Sequence, residues 1–213
     1  MKTEILSATA PGAAERAVAV LRRGGLVAFP TDTVYGVGAL AFDEETVKKL
    51  YVIKGRNTDK AIAVLLASAE DAARVTTGLT PVGRRLAEAF WPGPITLILP
   101  KHPRLPEAVS SLPTVGVRVP NHPILRKILA EAGPLAVTSA NRSGEEDPVS
   151  AQSVLARLKN RFDMLLDGGA TPGGVPSTIV DCTSGRPRIL RPGPIKEEEI
   201  LAAAQSRGVQ RRT

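Results

Sequence analysis

Chemistry in this chain begins at Phe29-Pro30-Thr31-Asp32-Thr33-Val34-Tyr35-Gly36-Val37-Gly38, where hydroxyls, a carboxylate and two glycines follow a short apolar run. Leu26 to Phe29 reads as a buried strand, and Pro30, with no N–H to donate, ends its ladder. Thr31, Asp32 and Thr33 are therefore expected at a strand end, where open α/β sheets bind ligands. The stretch alone fits an ordinary hydroxyl-rich turn equally well, so its company decides. Lys54, Arg56 and Lys60 share a loop after a helix. Arg118 lies inside the apolar run Val115-Gly116-Val117-Arg118-Val119-Pro120, where an unpaired guanidinium is costly. Its partner is either a carboxylate or phosphate of a ligand, or a structural salt bridge. Thr138 to Gly144 ends another strand in hydroxyls and an amide, and Ser177-Thr178 opens a later one, with Arg191 beyond it. A cationic, hydroxyl-lined cleft is the simplest common explanation.

Other chemistries find no foothold. A P-loop needs a Gly-Lys-Ser/Thr ending, which is missing. Gly36-Val37-Gly38-Ala39-Leu40-Ala41 matches the dinucleotide fingerprint formally, but Phe42 and Asp43 intervene before any helix, so the match is read as chance. His102 and His122 each precede a proline, have no metal-ligand spacing, and read as surface turn residues. There is no Gly-x-Ser-x-Gly elbow, and Cys182 lies in a strand pattern, so covalent catalysis has no candidate and no metal site is expected.

The elements that must position these residues alternate. Helices are expected over Ala13 to Arg23, stopped by Gly24-Gly25, and from the Asp43 cap to Lys54. Ser68 to Asp71 resembles a capping box, and further helices run from Thr80-Pro81 to Trp91, from Pro123 to Gly133, after Ser150, and over Glu197 to Ala204. Strands are expected at Leu26–Phe29, Ala61–Leu66, Ile95–Leu99, Val115–Val119, Leu135–Ser139, Met164–Asp167, Thr178–Asp181 and Arg188–Leu190. Interleaving of this kind predicts an α/β domain around a mixed, twisted sheet. With 213 residues, 43% of them hydrophobic, and no Gly/Ser- or Pro-rich linker, a single domain is expected. The net charge of +7 favours anionic partners, although Arg207, Arg211 and Arg212 are expected in a frayed tail. One cysteine cannot form an internal disulfide, and no signal-like or membrane-length apolar run occurs, so a soluble cytoplasmic protein without membrane contact is expected.

Taken together, Pro30-Thr31-Asp32-Thr33-Val34-Tyr35-Gly36, Lys54-Gly55-Arg56, Trp91-Pro92-Gly93-Pro94-Ile95-Thr96, Val117-Arg118-Val119-Pro120, Ser139-Ala140-Asn141-Arg142-Ser143-Gly144, Ser177-Thr178-Ile179 and Leu190-Arg191-Pro192-Gly193 resemble the YrdC-like threonylcarbamoyl-AMP synthases. The resemblance implies a YrdC-like catalytic domain over 13–195, a twisted sheet around a basic concave cleft, followed by a C-terminal helix and basic tail over 196–213. It implies an enzyme that joins L-threonine, bicarbonate and ATP, with magnesium, into threonylcarbamoyl-AMP and pyrophosphate. A downstream threonylcarbamoyl transferase complex then modifies tRNA, which this chain would itself bind weakly. By motif, Thr33, Arg118 and Ser177 would bind threonine, while Lys54, Arg56, Lys60, Ser139, Asn141 and Arg191 would hold ATP, with Lys54 and Arg56 catalytic. Asn57 and Ala61 stand where many relatives have prolines, and the C-terminal domain of longer relatives has no counterpart before Thr213.

Two rival readings stay open. The charge suits a plain RNA-binding module, yet aromatics are only 3% of residues, which leaves few stacking platforms. A carbamoyl-adenylate site like that of hydrogenase-maturation carbamoyltransferases would come with acylphosphatase and zinc-finger segments, which this sequence lacks.

Overall fold

The computed structural model describes residues 2–158 and 160–206; the basic tail expected at Arg207, Arg211 and Arg212 lies outside them. In chain order the elements are β1 (Glu4–Ser7), α1 (Ala13–Arg22), β2 (Val27–Phe29), β3 (Gly36–Leu40), α2 (Glu44–Lys54), β4 (Ala63–Leu65), a short 3-10 helix (Glu70–Arg74), α3 (Pro81–Phe90) and β5 (Ile95–Pro100). Then follow β6 (Thr114–Arg118), α4 (Pro123–Ala132), β7 (Leu135–Ser139), α5 (Ala151–Leu158), β8 (Met164–Asp167), β9 (Thr178–Asp181), β10 (Arg188–Arg191) and α6 (Glu197–Gln205). The strands form one ten-stranded mixed sheet in the order β1-β8-β2-β3-β7-β4-β6-β5-β9-β10.

Local chemistry explains most boundaries. Asp43 accepts the Thr46 N–H at 3.0 Å and opens α2, and Gly55, at φ 59°, closes it in the left-handed conformation that suits glycine. Thr80 caps α3 through the Gly83 N–H, with Pro81 in its first turn. Ser68 instead reaches the Asp71 carboxylate at 3.3 Å, so the expected capping box is a side-chain contact ahead of the 3-10 helix. Two strands escaped the sequence reading. β1 is an edge strand paired in parallel with β8, and it carries the sheet upstream of residue 13. β3 was hidden by its glycines: a Cβ at Gly36 or Gly38 would come within 2.8 or 2.9 Å of Val137. Those glycines therefore serve packing, and the strand they lie in rules out the phosphate-binding turn of the formal dinucleotide match.

Successive β2 residues feed opposite faces of the sheet, Leu26 and Ala28 joining one core cluster, Val27 and Phe29 the other. On the first face α2, α3, α5 and α6 all contribute buried side chains, Ile200 and Ala204 of α6 among them. On the second, among the described residues, only α1 and α4 do so, and they gather around β2, β8 and β7. The helix cover on this face is thus uneven. Over β4, β6, β5 and β9 the sheet is roofed by loops, and there the chain holds a cavity.

Candidate active site

The cavity measures about 210 Å³. Its floor is one sheet face, Ala63, Leu65, Thr96, Val137 and Ile179, and polar groups ring it: Thr31, Thr33, Arg56, Arg118, Ser139, Asp147, Ser177 and Arg191. The ligand site expected at a strand end is therefore a site across the sheet, because small residues and missing helices leave the room there.

One hydroxyl organises the loop after β2. Thr31 Oγ1 donates to the Val34 carbonyl at 2.8 Å and accepts the N–H groups of Thr33 and Val34, fixing Thr33 toward the cavity. Tyr35 ties down the facing loop, donating to the Gly169 carbonyl at 2.7 Å and accepting from the Gly168 N–H. Arg118, at the end of β6, donates from Nε to the Gly93 carbonyl at 3.0 Å, from Nη1 to Thr33 Oγ1 at 3.0 Å and from Nη2 to Asp32 Oδ1 at 2.6 Å. A buried guanidinium was expected to need an anion, and Asp32 supplies it. Burial lowers the Arg118 pKa while the Asp32 charge works against that shift. Of five guanidinium N–H groups two are uncommitted, so the ion pair leaves donors for a ligand.

Ser177 shares a hydrogen bond with Thr96 Oγ1 at 2.8 Å, and Arg191 clamps it by donating from Nη2 to its carbonyl at 2.6 Å and to its hydroxyl at 3.2 Å. Gly193 makes this clamp possible, since a Cβ there would meet the Pro176 carbonyl at 2.7 Å. Arg56, which lines the cavity, is held by the carbonyls of Lys60 and Ala61 at 3.2 and 2.9 Å.

Six of the nine expected residues thus line one cavity: Thr33, Arg56, Arg118, Ser139, Ser177 and Arg191. Lys54, Lys60 and Asn141 are placed elsewhere. Lys60 is exposed on the loop. Asn141 is buried, its amide donating to the carbonyls of Glu145 and Glu146 at 2.7 and 3.1 Å, so it braces the 141–147 loop. Lys54 points its ammonium into the Ser139–Asn141 turn, donating to both carbonyls and to Asn141 Oδ1 at 2.9 Å. All three ammonium protons are used, and burial, with Arg56 adding repulsion, lowers the Lys54 pKa to about 8. Lys54 thereby builds the wall of the cavity without facing it.

The sequence reading missed Asp147, the only carboxylate in the lining among the described residues, and Thr96, the partner of Ser177. Thr96 sits in a stretch already singled out and Asp147 just beyond one, but neither residue type is informative until the fold turns it inward. His122 also departs from expectation, being half-buried at the N-cap of α4 instead of a surface turn residue. Cys182 is buried, and that burial pushes its thiol pKa up to about 12.

A ten-stranded sheet with a loop-roofed, arginine-rimmed cavity on its less covered face defines the class, and the chain belongs to the Sua5/YciO/YrdC family. The family model, described as telomere recombination, matches residues 19–193. Among relatives, the threonylcarbamoyl-AMP synthase of Pyrococcus abyssi is 42% identical over 86% of this chain and 55% of its own length. A putative threonylcarbamoyl-AMP synthase of Mycobacterium tuberculosis (strain CDC 1551) is 40% identical over 86% of this chain and 85% of its own length. The crystal structure of P. abyssi Sua5 complexed with L-threonine superposes with a TM-score of 0.90 at 38% identity, covering 95% of this chain and 61% of that one. The chain spans little more than half the length of the first of these relatives.

Proposed function

We propose that this chain is an L-threonylcarbamoyladenylate synthase, a nucleotidyltransferase that makes threonylcarbamoyl-AMP and pyrophosphate from L-threonine, bicarbonate and ATP. The observation that carries the reading is the meeting of Thr33, Arg118 and Ser177 with Arg56, Ser139 and Arg191 in one cavity. Its support is similarity to proteins named for this product, one of them in complex with L-threonine.

In this reading the uncommitted Arg118 N–H groups take the threonine carboxylate, with the Ser177 and Thr33 hydroxyls beside them. The amine, once it has lost its proton, attacks the carbon of the carbon dioxide that bicarbonate yields on losing hydroxide; the N–C bond forms as one C=O bond opens, and the nitrogen gives a further proton to water, leaving a carbamate. A carbamate oxygen then attacks the α-phosphorus of ATP in line, the bond to the bridging oxygen of the β-phosphate breaks, and pyrophosphate leaves. Arg56 and Arg191 neutralise phosphate charge as it shifts, so catalysis is positioning and electrostatics. Among the described residues no group of three or more His, Cys, Asp or Glu could hold a metal. Magnesium would fit as an ion carried by the ATP phosphates, with Asp147 the lining carboxylate able to meet it among the described residues, and there it would add to the neutralisation of the phosphates.

The adenylate is an activated carbamate that a transferase complex would hand to tRNA, and weak direct tRNA binding belongs to the same reading. No helix among the described residues is long and apolar enough to cross a membrane; cytoplasmic residence is part of the proposal. For the domain plan, we place the catalytic unit at 13–195, with β1 adding an edge strand from upstream of it and α6, downstream of it, packed on α3.

The test is a pyrophosphate assay in carbon-dioxide-depleted buffer. Pyrophosphate should appear only when ATP, threonine and bicarbonate are all present, without tRNA, together with an adduct that contains threonine, bicarbonate carbon and AMP. Release that ignores bicarbonate would mark an aminoacyl-adenylate enzyme, and release that waits for tRNA would mark an RNA-directed one.

The division of the cavity has its own readout. Ser177→Ala should raise the KM for threonine about tenfold, as expected for one hydrogen bond to a charged ligand, and Arg56→Ala should do the same for ATP. Equal effects of either substitution on both substrates would show that the cavity is partitioned differently.

A further inference from the structure

Among the described residues, two buried side-chain atoms lack any hydrogen-bond partner: Asp32 Oδ2 and His122 Nδ1. One is an acceptor and the other can be a donor, and they belong to one neighbourhood. Asp32 gives its other oxygen to Arg118 at 2.6 Å, and His122 follows Arg118 by four residues, on the segment that joins β6 to α4. The His122 side chain makes no capping bond to α4, so helix capping does not explain why the ring is turned inward. Burial lowers its pKa, and the one charge opposing that shift is Asp32. A neutral ring carries its single proton on the nitrogen that has an acceptor to meet.

We infer that a small side-chain rotation joins the two orphaned atoms, the His122 Nδ1–H group donating to Asp32 Oδ2, and that His122 is thereby a positioning residue for Arg118. An Asp32 carboxylate held by one oxygen is free to turn about its terminal torsion; held by both, it fixes the plane in which Arg118 Nη2 is bound. The two uncommitted Arg118 N–H groups then keep one direction, toward the cavity. The functional half of this inference rests on the proposed threonine site, whereas the Asp32–His122 pair stands on the buried atoms alone.

Two measurements on the full chain test it. Imidazole nitrogen spectra, assigned with His102→Gln, should show His122 as the Nδ1–H tautomer; an Nε2–H ring overturns the inference whatever the activity. In the pyrophosphate assay, His122→Leu should raise the threonine KM about tenfold with kcat and the ATP KM nearly unchanged. His122→Asn places an amide N–H where Nδ1 was and should restore the threonine KM, while His122→Gln, which mimics Nε2, should not. Equal losses for both substrates, or no difference between Asn and Leu, would overturn the positioning role. An Nδ1–H ring in a chain that binds no threonine would overturn the proposed function and leave only a structural pair.

Discussion

Arg118→Met should destabilise the folded chain by about 3–5 kcal/mol and abolish threonine binding, the destabilisation being the usual consequence of removing one partner from a buried ion pair. Methionine fills much of the same volume, so packing is not the main loss. The Asp32 side chain is only 12% exposed, and without the guanidinium its Oδ1 would lose its partner. The Gly93 carbonyl would lose its Arg118 donor as well. Against a typical domain stability of about 5–15 kcal/mol, this is a large fraction. Asp32→Asn combined with Arg118→Met removes the stranded charge and should recover much of the stability in urea unfolding, yet no threonine binding. A single variant as stable as the parent would mean that the Asp32–Arg118 pair is dispensable to the fold. Recovered threonine binding in the double variant would remove Arg118 from the proposed site.

Arg118 also shows how far the sequence could be read. A guanidinium in an apolar run announces a buried anion, and that much follows from desolvation alone. Which anion it meets depends on the loop after β2 crossing over the end of β6, a contact 86 residues apart in sequence. The same division holds elsewhere. Helices with caps and strands with apolar runs were legible because their signals are local. β1 was not, because its half-buried, half-exposed edge position gives a pattern that Glu4 and Ser7 blur. β3 was not, because glycine normally signals a turn, and only the Val137 side chain lying across Gly36 and Gly38 turns that signal into a packing requirement. In the cavity, residues that line it and residues that brace it come from the same motifs. Thr33 faces inward beside Thr31, which holds the loop, and Ser139 lines the wall that Asn141 secures. Residue type and spacing mark such a motif as a unit; the direction of each side chain within it is set by the fold.

Lys54 is the clearest case, and it yields the other large expected effect. At the end of α2 it reads as a cation free to reach a ligand, and the resemblance makes it a catalytic ATP contact. The structure instead uses its three protons to gather the Ser139 and Asn141 carbonyls and Asn141 Oδ1. Lys54→Met should therefore cost about 2–4 kcal/mol: each buried acceptor left unsatisfied costs about 1–3 kcal/mol, offset in part because no ammonium is desolvated. The turn carrying Ser139 should loosen with it, so ATP binding should weaken although Lys54 does not line the cavity. A pH series separates this role from a direct phosphate contact. With its folded pKa near 8, below the ordinary lysine value, Lys54 holds its proton less tightly in the folded chain than in the unfolded one. Below pH 8 both states are protonated and the burial cost is present in full. Between pH 8 and the ordinary lysine range the unfolded chain binds more protons, so this group makes stability rise with pH, and above that range its contribution is constant. The difference in unfolding free energy between parent and Lys54→Met should grow across that window and be flat on either side, other titrating groups cancelling in the subtraction. A flat difference throughout, with nucleotide affinity lost but stability intact, would return Lys54 to the phosphates and make the contacts with Ser139 and Asn141 a resting position of a catalytic lysine.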